Sequence, residues 1–305
     1  VSPTLSIGIG LSSKGFAANE DFAETAIDMA LSRGGDQAVI KTDSGYEFFG
    51  GKSAGTEKRS KIKARVVASA LSEMFKEWDT VIITGHKYSD MDSLGASVGM
   101  ARIAQHFRKD VYIVIDEKTT MATPLFEKLK KSGFFSDIFI SPDDIDVKIT
   151  NNTAAVICDT HRPEVAEGYD SLRLARDIVV VDHHRKSSYY IDSASIMFHD
   201  PSASSASEMA TELVQYICDD ELLACEAEAL LAGIILDTKS FTLKTSSATF
   251  DTSSYLKKMG ANPVSVKLLF QTDKETYKHK ISLMQKAAIY RDVTAIAVWT
   301  DPIPE

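Results

Sequence analysis

A chain of 305 residues with 44% hydrophobic composition can bury a substantial core, enough for two domains or for one domain with flanking pieces. Its formal charge of −9 argues against a sequence-independent grip on long nucleic acid. No run approaches the roughly 18 apolar residues of a membrane span, no N-terminal segment reads as a signal peptide, and the odd number of cysteines (Cys158, Cys218, Cys225) predicts reduced, buried thiols in a cytosolic setting.

The first fifty residues read as strand-like TLSIGIG, a polar loop, the helical stretch DFAETAIDMALSRGGDQAVIK and a short strand-like end, followed by a Gly-rich linker, YEFFGGKSAGTEKRS. A strand with a Ser-Ile-Gly core before a helix and a final strand resembles the C-terminal end of a GGDEF-type domain. Arg33-Gly34-Gly35-Asp36 looks like that family's signature but follows the last helix, so it reads as a helix C-cap and turn, with no cyclase activity implied. From Ser60 to Trp78, apolar Ile62, Val66, Val67, Ala70, Leu71, Met74, Phe75 and Trp78 recur at helical spacing. This predicts a connecting amphipathic helix whose stripe packs on a neighbouring domain or forms a dimer seam.

Strands are predicted at 81–84, 111–115, 154–158 and 177–182, alternating with helices at 93–107 and near 124–132. That alternation implies an α/β fold with a doubly wound, mostly parallel sheet. Helical segments follow at 203–218, 225–236, 251–259, 263–271 and near 274–289, and AIAVW reads as the first strand of an incomplete C-terminal lobe.

The chemistry sits at the ends of the apolar runs. VIIT leads to His86, Asp90 and Asp92, AAVIC to Asp159, and DIVVV to Asp182, His183 and His184. If each run is a buried parallel strand, these side chains emerge at the carboxyl edge of the sheet, where open α/β folds bind ligands. Asp90 and Asp92 flank one residue in a loop leading into a helix capped by Ser93, so each can serve a different ion, with His86 joining the first. Asp159, at a central strand end, suits a carboxylate bridging two ions; the Asp182-His183-His184 run supplies imidazole, and Asp237 in GIILDTKSF completes the shell.

Oxygen and nitrogen donors without thiolate suit Mn²⁺, Mg²⁺, Fe²⁺ or Co²⁺, and manganese is favoured. Two such ions roughly 3.5–4 Å apart lower the pKa of a bridging water and hold both oxygens of an in-line displacement at phosphorus, so phosphoester hydrolysis is the expected reaction. A lone D-x-D motif is weak, because helix N-termini favour Asp; the metal reading rests on the whole set. His161-Arg162 and the basic residues after His184 suit a small anionic substrate, with His199 a candidate contact. Ser204 and Ser205 in PSASSASEMATEL read either as helix caps or as a phosphate-binding helix start.

Val81 to about Leu256, with HKYSDMD, CDTHRP, VVDHH and LDTKSF, resembles the DHH phosphoesterase superfamily. The resemblance implies two Mn²⁺ ions, with His86 and Asp90 on one, Asp92 and His183 on the other, Asp159 bridging and Asp237 completing the site. It makes Asp159, Asp182 and His184 the catalytic set, with His184 on the substrate side and Asp182 orienting its neighbours. The succession of a GGDEF-like end, a helical linker and these motifs is similar to the membrane-anchored cyclic-di-AMP phosphodiesterases. That similarity implies hydrolysis of cyclic di-AMP to 5′-pApA by a hydroxide bridging two metals, with His184, His161, Arg162, Arg185, Ser204 and Ser205 as substrate contacts.

The family carries transmembrane helices and a PAS sensor upstream. The expectation is therefore the cytoplasmic portion of a cell-membrane protein, reaching the membrane only through upstream helices absent from this chain, and forming a homodimer in one reading. The family's Gly-Gly-Gly-His loop is missing from the sequence, and Ser246-Ser247-Ala248-Thr249 stands after LKT where relatives carry Arg. Both departures bear on substrate affinity rather than on the metal site. The alternatives are a hydrolase of short linear oligonucleotides or phosphoadenosine phosphate, and a regulatory module that binds a nucleotide without turnover. The expected layout is a degenerate GGDEF-like end over 1–50, a linker and helix over 51–80, a DHH phosphoesterase domain over 81–256, and connecting helices with an incomplete lobe over 257–305.

Overall fold

The computed structural model describes residues 5–33, 35–50, 61–271, 274–291 and 293–298. They form two compact units, Val1–Val266 and Lys267–Glu305.

The first unit begins with β1 (Ile7–Leu11), α1 (Phe16–Ser32), β2 (Gln37–Thr42) and β3 (Gly45–Gly50). β1 runs parallel to β2, and β3 returns antiparallel. Ala26, Met29 and Ala30 of α1 pack on Val39 of β2 to make a small core. The expected helical stretch therefore divides: α1 stops at Ser32, Gly35 takes φ +71° and donates its N–H to the Ala30 carbonyl, and QAVIKT is extended. Tyr46, Phe48 and Phe49, which composition places in a linker, are strand residues because they pair with β2, a partner that local composition does not reveal. Residues 51–60 of that linker lie outside the described residues.

α2 (Lys61–Glu77) buries Ala64, Ala68, Leu71 and Phe75, and Trp78 follows it. This stripe packs against the helix Ala206–Ile217 and the strand Ile196–His199, and Trp78 Nε1 donates to Asp177 Oδ2 at 2.9 Å. Of the two readings for this helix, packing on the neighbouring domain is the one realised. Val66, expected in the stripe, is exposed.

The elements that follow are β4 (Thr80–Thr84), α3 (Met91–His106), β5 (Asp110–Val114), α4 (Thr123–Lys131), β6 (Phe139–Ile140), α5 (Ile145–Lys148), β7 (Thr153–Cys158), α6 (Tyr169–Leu172), β8 (Asp177–Asp182), β9 (Ile196–His199), α7 (Ala206–Ile217), α8 (Ala224–Asp237), α9 (Ser247–Lys258) and α10 (Pro263–Leu269). Strands β6-β5-β4-β7-β8-β9 form one sheet in that order, every pair parallel. β4 and β7 are buried along their whole length, as continuous β-branched and apolar runs must be when both faces are covered. The chain builds outward from β4 through β5 to β6, then crosses back to start β7 on the other side of β4. The switch point between β4 and β7 is where a parallel sheet opens a crevice at its carboxyl edge.

The edge strands β6 and β9, absent from the strands expected on sequence, are short and only partly buried, so their apolar signal is weak. α3, α7 and α8 pack on one another, with Arg102 of α3 holding Glu226 of α8 through two bonds of 2.9 and 2.6 Å. All three cysteines are free thiols, with Cys158 and Cys218 buried and Cys225 half-buried.

The second unit contains α11 (Lys274–Gln285) and the antiparallel pair β10 (Ala288–Tyr290) and β11 (Thr294–Ile296). The helix expected to reach residue 289 thus ends earlier, and AIAVW contributes only its start to β11, Trp299 lying outside the described residues. Among the described residues, no helix is long and apolar enough to cross a membrane.

Candidate metal centre

The loop after β4 leads straight into α3, and Asp90, not Ser93, is the N-cap. Its extended backbone (φ −100°, ψ −170°) lets Oδ1 accept the N–H groups of Asp92 at 2.9 Å and Ser93 at 3.1 Å. The His86 Nδ1–H donates to the Lys87 carbonyl at 2.7 Å, which leaves Nε2 facing Asp90 Oδ1 at 3.7 Å and Asp159 Oδ2 at 3.5 Å.

Asp92 is fully buried, and its carboxylate accepts the amides of Ala206 (2.7 Å) and Ser207 (2.9 Å) in the first turn of α7. The start of α7 therefore does bind an anion, as its exposed amides and dipole favour, but the anion is Asp92. Ser205 Oγ caps the helix by accepting the Glu208 N–H at 3.0 Å, while Ser204 Oγ donates to the Glu208 carboxylate. Both serines are buried and neither lines the cavity, and Ser205 is the helix cap.

Asp159 follows β7 in the left-handed region, at φ +58°. Aspartate tolerates that conformation better than most residues, at about 1–2 kcal/mol. The turn presents the two carboxylate oxygens to different neighbours: Oδ2 lies 3.5 Å from His86 Nε2, and Oδ1 lies 3.4 Å from His183 Nε2. His183 Nε2 also faces Asp237 Oδ2 at 3.1 Å and Asp92 Oδ2 at 3.8 Å. Of the four groups of donors close enough to share a cation among the described residues, two divide this edge between them, His86 with Asp90 and Asp159, and Asp92 with His183 and Asp237.

These residues fit divalent cations on three counts. The donors are oxygen and imidazole nitrogen with no thiolate; Asp159 Oδ1 and His183 Nε2 are buried with no hydrogen-bond partner among the described residues; and negative charge is crowded. Burial, then the charges of Asp159 and Asp237, push the Asp92 carboxyl up to about 8. Burial alone would lower His86 and His183, but the carboxylates they face, Asp159 with Asp90 and Asp159 with Asp237, raise both to about 11. Such a cluster requires positive charge among its oxygens.

Asp182 ends β8 fully buried and ties down two imidazoles. His161 Nδ1–H donates to its Oδ2, His184 Nδ1–H donates to Oδ1 at 2.8 Å, and the His184 amide adds a third bond at 3.2 Å. Burial would raise the Asp182 carboxyl, but bonds from His161 and His184 hold it far below the carboxylate range. The bond to Asp182, partly opposed by burial, raises His184. His161 Nε2 accepts the Ser187 N–H at 2.8 Å, so both its nitrogens are engaged, and His199 Nε2 donates to the His184 carbonyl. His161, Asp182 and His199 thus form a hydrogen-bond network that sets the loop bearing His183 and His184. Asp182→Asn leaves one acceptor oxygen for three donors, and turnover should fall about 10- to 100-fold in steady-state assays, as for other groups that orient ligands.

A cavity of about 1470 Å³ opens over this edge, larger than the roughly 300–1,000 Å³ of ordinary small-molecule pockets. His86, Asp90, Asp159, His183 and Asp237 lie in its wall with His184, Arg162 and Arg185. Arg33, Phe241, Lys244 and Thr245 also line it, although the sequence does not mark them as site residues. Arg33 and Lys244 stand in motifs notable for other reasons. Lys239, Ser240 and Phe241, three successive residues in left-handed conformation, carry no sequence signal for it.

A cleft at the switch point of a parallel sheet, walled by carboxylates and imidazoles and suited to divalent cations, defines an α/β metal-centre protein. The chain belongs to the DHH family, whose N-terminal domain matches residues 80–234. Residues 1–48 match the GGDEF domain of cyclic-di-AMP phosphodiesterase GdpP-like proteins. The chain is 42% identical over 298 residues to cyclic-di-AMP phosphodiesterase GdpP of Geobacillus thermodenitrificans, covering 96% of the chain and 45% of that protein. It is 38% identical to cyclic-di-AMP phosphodiesterase PdeA of Listeria monocytogenes, again over 96% of the chain and 45% of the relative. It thus spans about half the length of the curated relatives it matches. An exopolyphosphatase-related protein of Bacteroides fragilis shares the fold, with a TM-score of 0.64 at 18% identity over 78% of this chain and 68% of that one.

Proposed function

We propose that this chain is the hydrolytic portion of a phosphodiesterase that opens cyclic di-AMP to 5′-pApA. The observation that carries the reading is Asp159, whose two oxygens face separate ligand groups at 3.5 and 3.4 Å. The relatives' names supply the substrate class, and a cavity of about 1470 Å³ has room for a dinucleotide. We assign two Mn²⁺ ions, one to His86, Asp90 and Asp159 and one to Asp92, His183, Asp237 and Asp159. Such ions lower the pKa of a water between them and offset charge at phosphorus.

The chain's own residues do the rest. Asp182 fixes His184 through Nδ1, so its Nε2 is the atom available to a phosphate oxygen. Arg162 and Arg185 bring positive charge to the same wall, the Arg162 guanidinium being held there by the Glu164 carboxylate through Nε and Nη2. His161 acts through position, because both its nitrogens are bound within the protein.

We infer that the protein acts at a cell membrane with this portion on the cytoplasmic side. A 31% identical relative of Onion yellows phytoplasma, named as a membrane protein-large ribosomal subunit bL9 fusion protein, supports the membrane part of that reading. A homodimer belongs to the same proposal and is read by sedimentation velocity.

The test incubates the chain with Mn²⁺ and cyclic di-AMP, cyclic di-GMP or 5′-pApA in parallel, with chromatography of the products. Cyclic di-AMP converted to 5′-pApA faster than the other substrates supports the reading. Faster loss of 5′-pApA moves it to the linear-oligonucleotide hydrolases, and binding without turnover moves it to a regulatory module.

A further inference from the structure

Arg33 belongs to the GGDEF-like piece, yet its guanidinium lies in the wall of the metal cavity. As the C-cap of α1, its backbone N–H closes the helix on the Met29 carbonyl at 3.2 Å, which is a complete account of the cap. The side chain goes elsewhere. Nη1 donates to the Lys186 carbonyl in the loop after β8, and the guanidinium carbon sits 4.0 Å above the Phe48 ring of β3. Nε is buried with no hydrogen-bond partner among the described residues. The side chain thus does more than cap the helix, because it brings Arg33 to the wall of the cavity.

Its charged surroundings point the same way. Burial, then the positive charge of Arg185, lowers the Arg33 guanidinium, so the two cations lie close enough to feel one another. Both line the cavity that also holds Asp159 and His184. Phe48 and the Lys186 carbonyl hold the planar guanidinium in place, leaving Nη2 as the donor for phosphate.

We propose that Arg33 and Arg185 form an anion subsite for the phosphate of a dinucleotide that is not being cleaved. The GGDEF-like piece thereby supplies a substrate-positioning residue to the metal-bearing domain. The inference rests on the cyclic-dinucleotide reading and deepens it. A substrate with two phosphates would be held at two points, one at the metal centre and one at the paired arginines, and a single phosphodiester would feel only the first.

The experiment uses the whole chain with Mn²⁺ and two substrates, cyclic di-AMP and bis(4-nitrophenyl) phosphate, which has a single phosphodiester. Arg33→Ala should raise KM for cyclic di-AMP about 10-fold or more, the size of a lost charged hydrogen bond, with a smaller change in kcat. Its kcat/KM on bis(4-nitrophenyl) phosphate should stay within about two-fold of wild type, since uniform binding to a distant phosphate is absent there. Arg33→Lys, which keeps the charge and the stem, should show the same split at smaller size and decides the question if the alanine variant fails to fold. An unchanged KM for cyclic di-AMP, or equal losses on both substrates, overturns the subsite while leaving the functional reading in place. Wild-type protein that leaves cyclic di-AMP intact overturns the functional reading and the subsite with it.

Discussion

Asp159→Asn should lower kcat/KM for the phosphodiester by about 10³-fold, equivalent to about 4 kcal/mol of transition-state stabilisation, with the fold intact. Asparagine keeps the shape of the side chain and tolerates the left-handed backbone at φ +58°, so the substitution removes charge without forcing the turn open. What it loses is one of two oxygens that each face a different ligand group, because one of its terminal atoms becomes an NH₂ that cannot coordinate a cation. Cys158→Ser is the control one residue away. Cys158 is fully buried, and burial pushes its thiol well above the usual range, so it is packing rather than chemistry. Steady-state kinetics with circular dichroism separates the two: equal losses from both variants would mean that the end of β7 matters for packing alone.

The contrast between these neighbours shows what a sequence can convey. Parallel strands buried on both faces are written as continuous apolar runs, so VIIT, AAVIC and DIVVV locate β4, β7 and β8, and the polar residue after each run has to emerge at one sheet edge. The proposed metal ligands His86, Asp159 and His183 are legible for that reason, whereas Asp237 ends a helix. Partners brought in by tertiary packing are not. The sequence shows a D-x-D loop, but not that Asp90 takes the cap from Ser93, nor that the Asp92 carboxylate fills the start of α7, 114 residues away. Ser204 and Ser205 look open to phosphate in the sequence because the occupant of that helix start lies on another element. Arg33 looks like a turn residue for the same reason: its place in the cavity depends on how the β1–β3 piece meets the loop after β8, and no local pattern records that contact.

Gly233→Ala tests the packing that holds Asp92, and helix propensity and sterics predict opposite signs for it. Gly233 lies inside α8, where alanine is favoured by about 1 kcal/mol on propensity alone. A Cβ built there, however, falls 2.1 Å from Ser207 Oγ, 2.6 Å from Asp92 Oδ1 and 2.8 Å from Asp92 Cα. Ser207 Oγ could rotate away, but Asp92 Cα is backbone and its carboxylate is fixed by the amides of α7, so α3 and α8 must separate. Overpacking of this kind costs about 1–3 kcal/mol or more, which outweighs the propensity gain and leaves a net loss of roughly 2 kcal/mol. For a chain of this size that corresponds to a fall in Tm of roughly 3 °C. Turnover should fall further than stability implies, by about 10²-fold, because displacement of Asp92 by an ångström misplaces one of the three carboxylates around His183. Adding Ser207→Ala removes the nearest contact but not the clash with Asp92, so the double variant should recover part of the Tm and little of the activity. A Gly233→Ala protein as stable and as active as wild type would show that α3 and α8 can part without moving Asp92, and the buried carboxylate would then owe its position to the α7 amides alone.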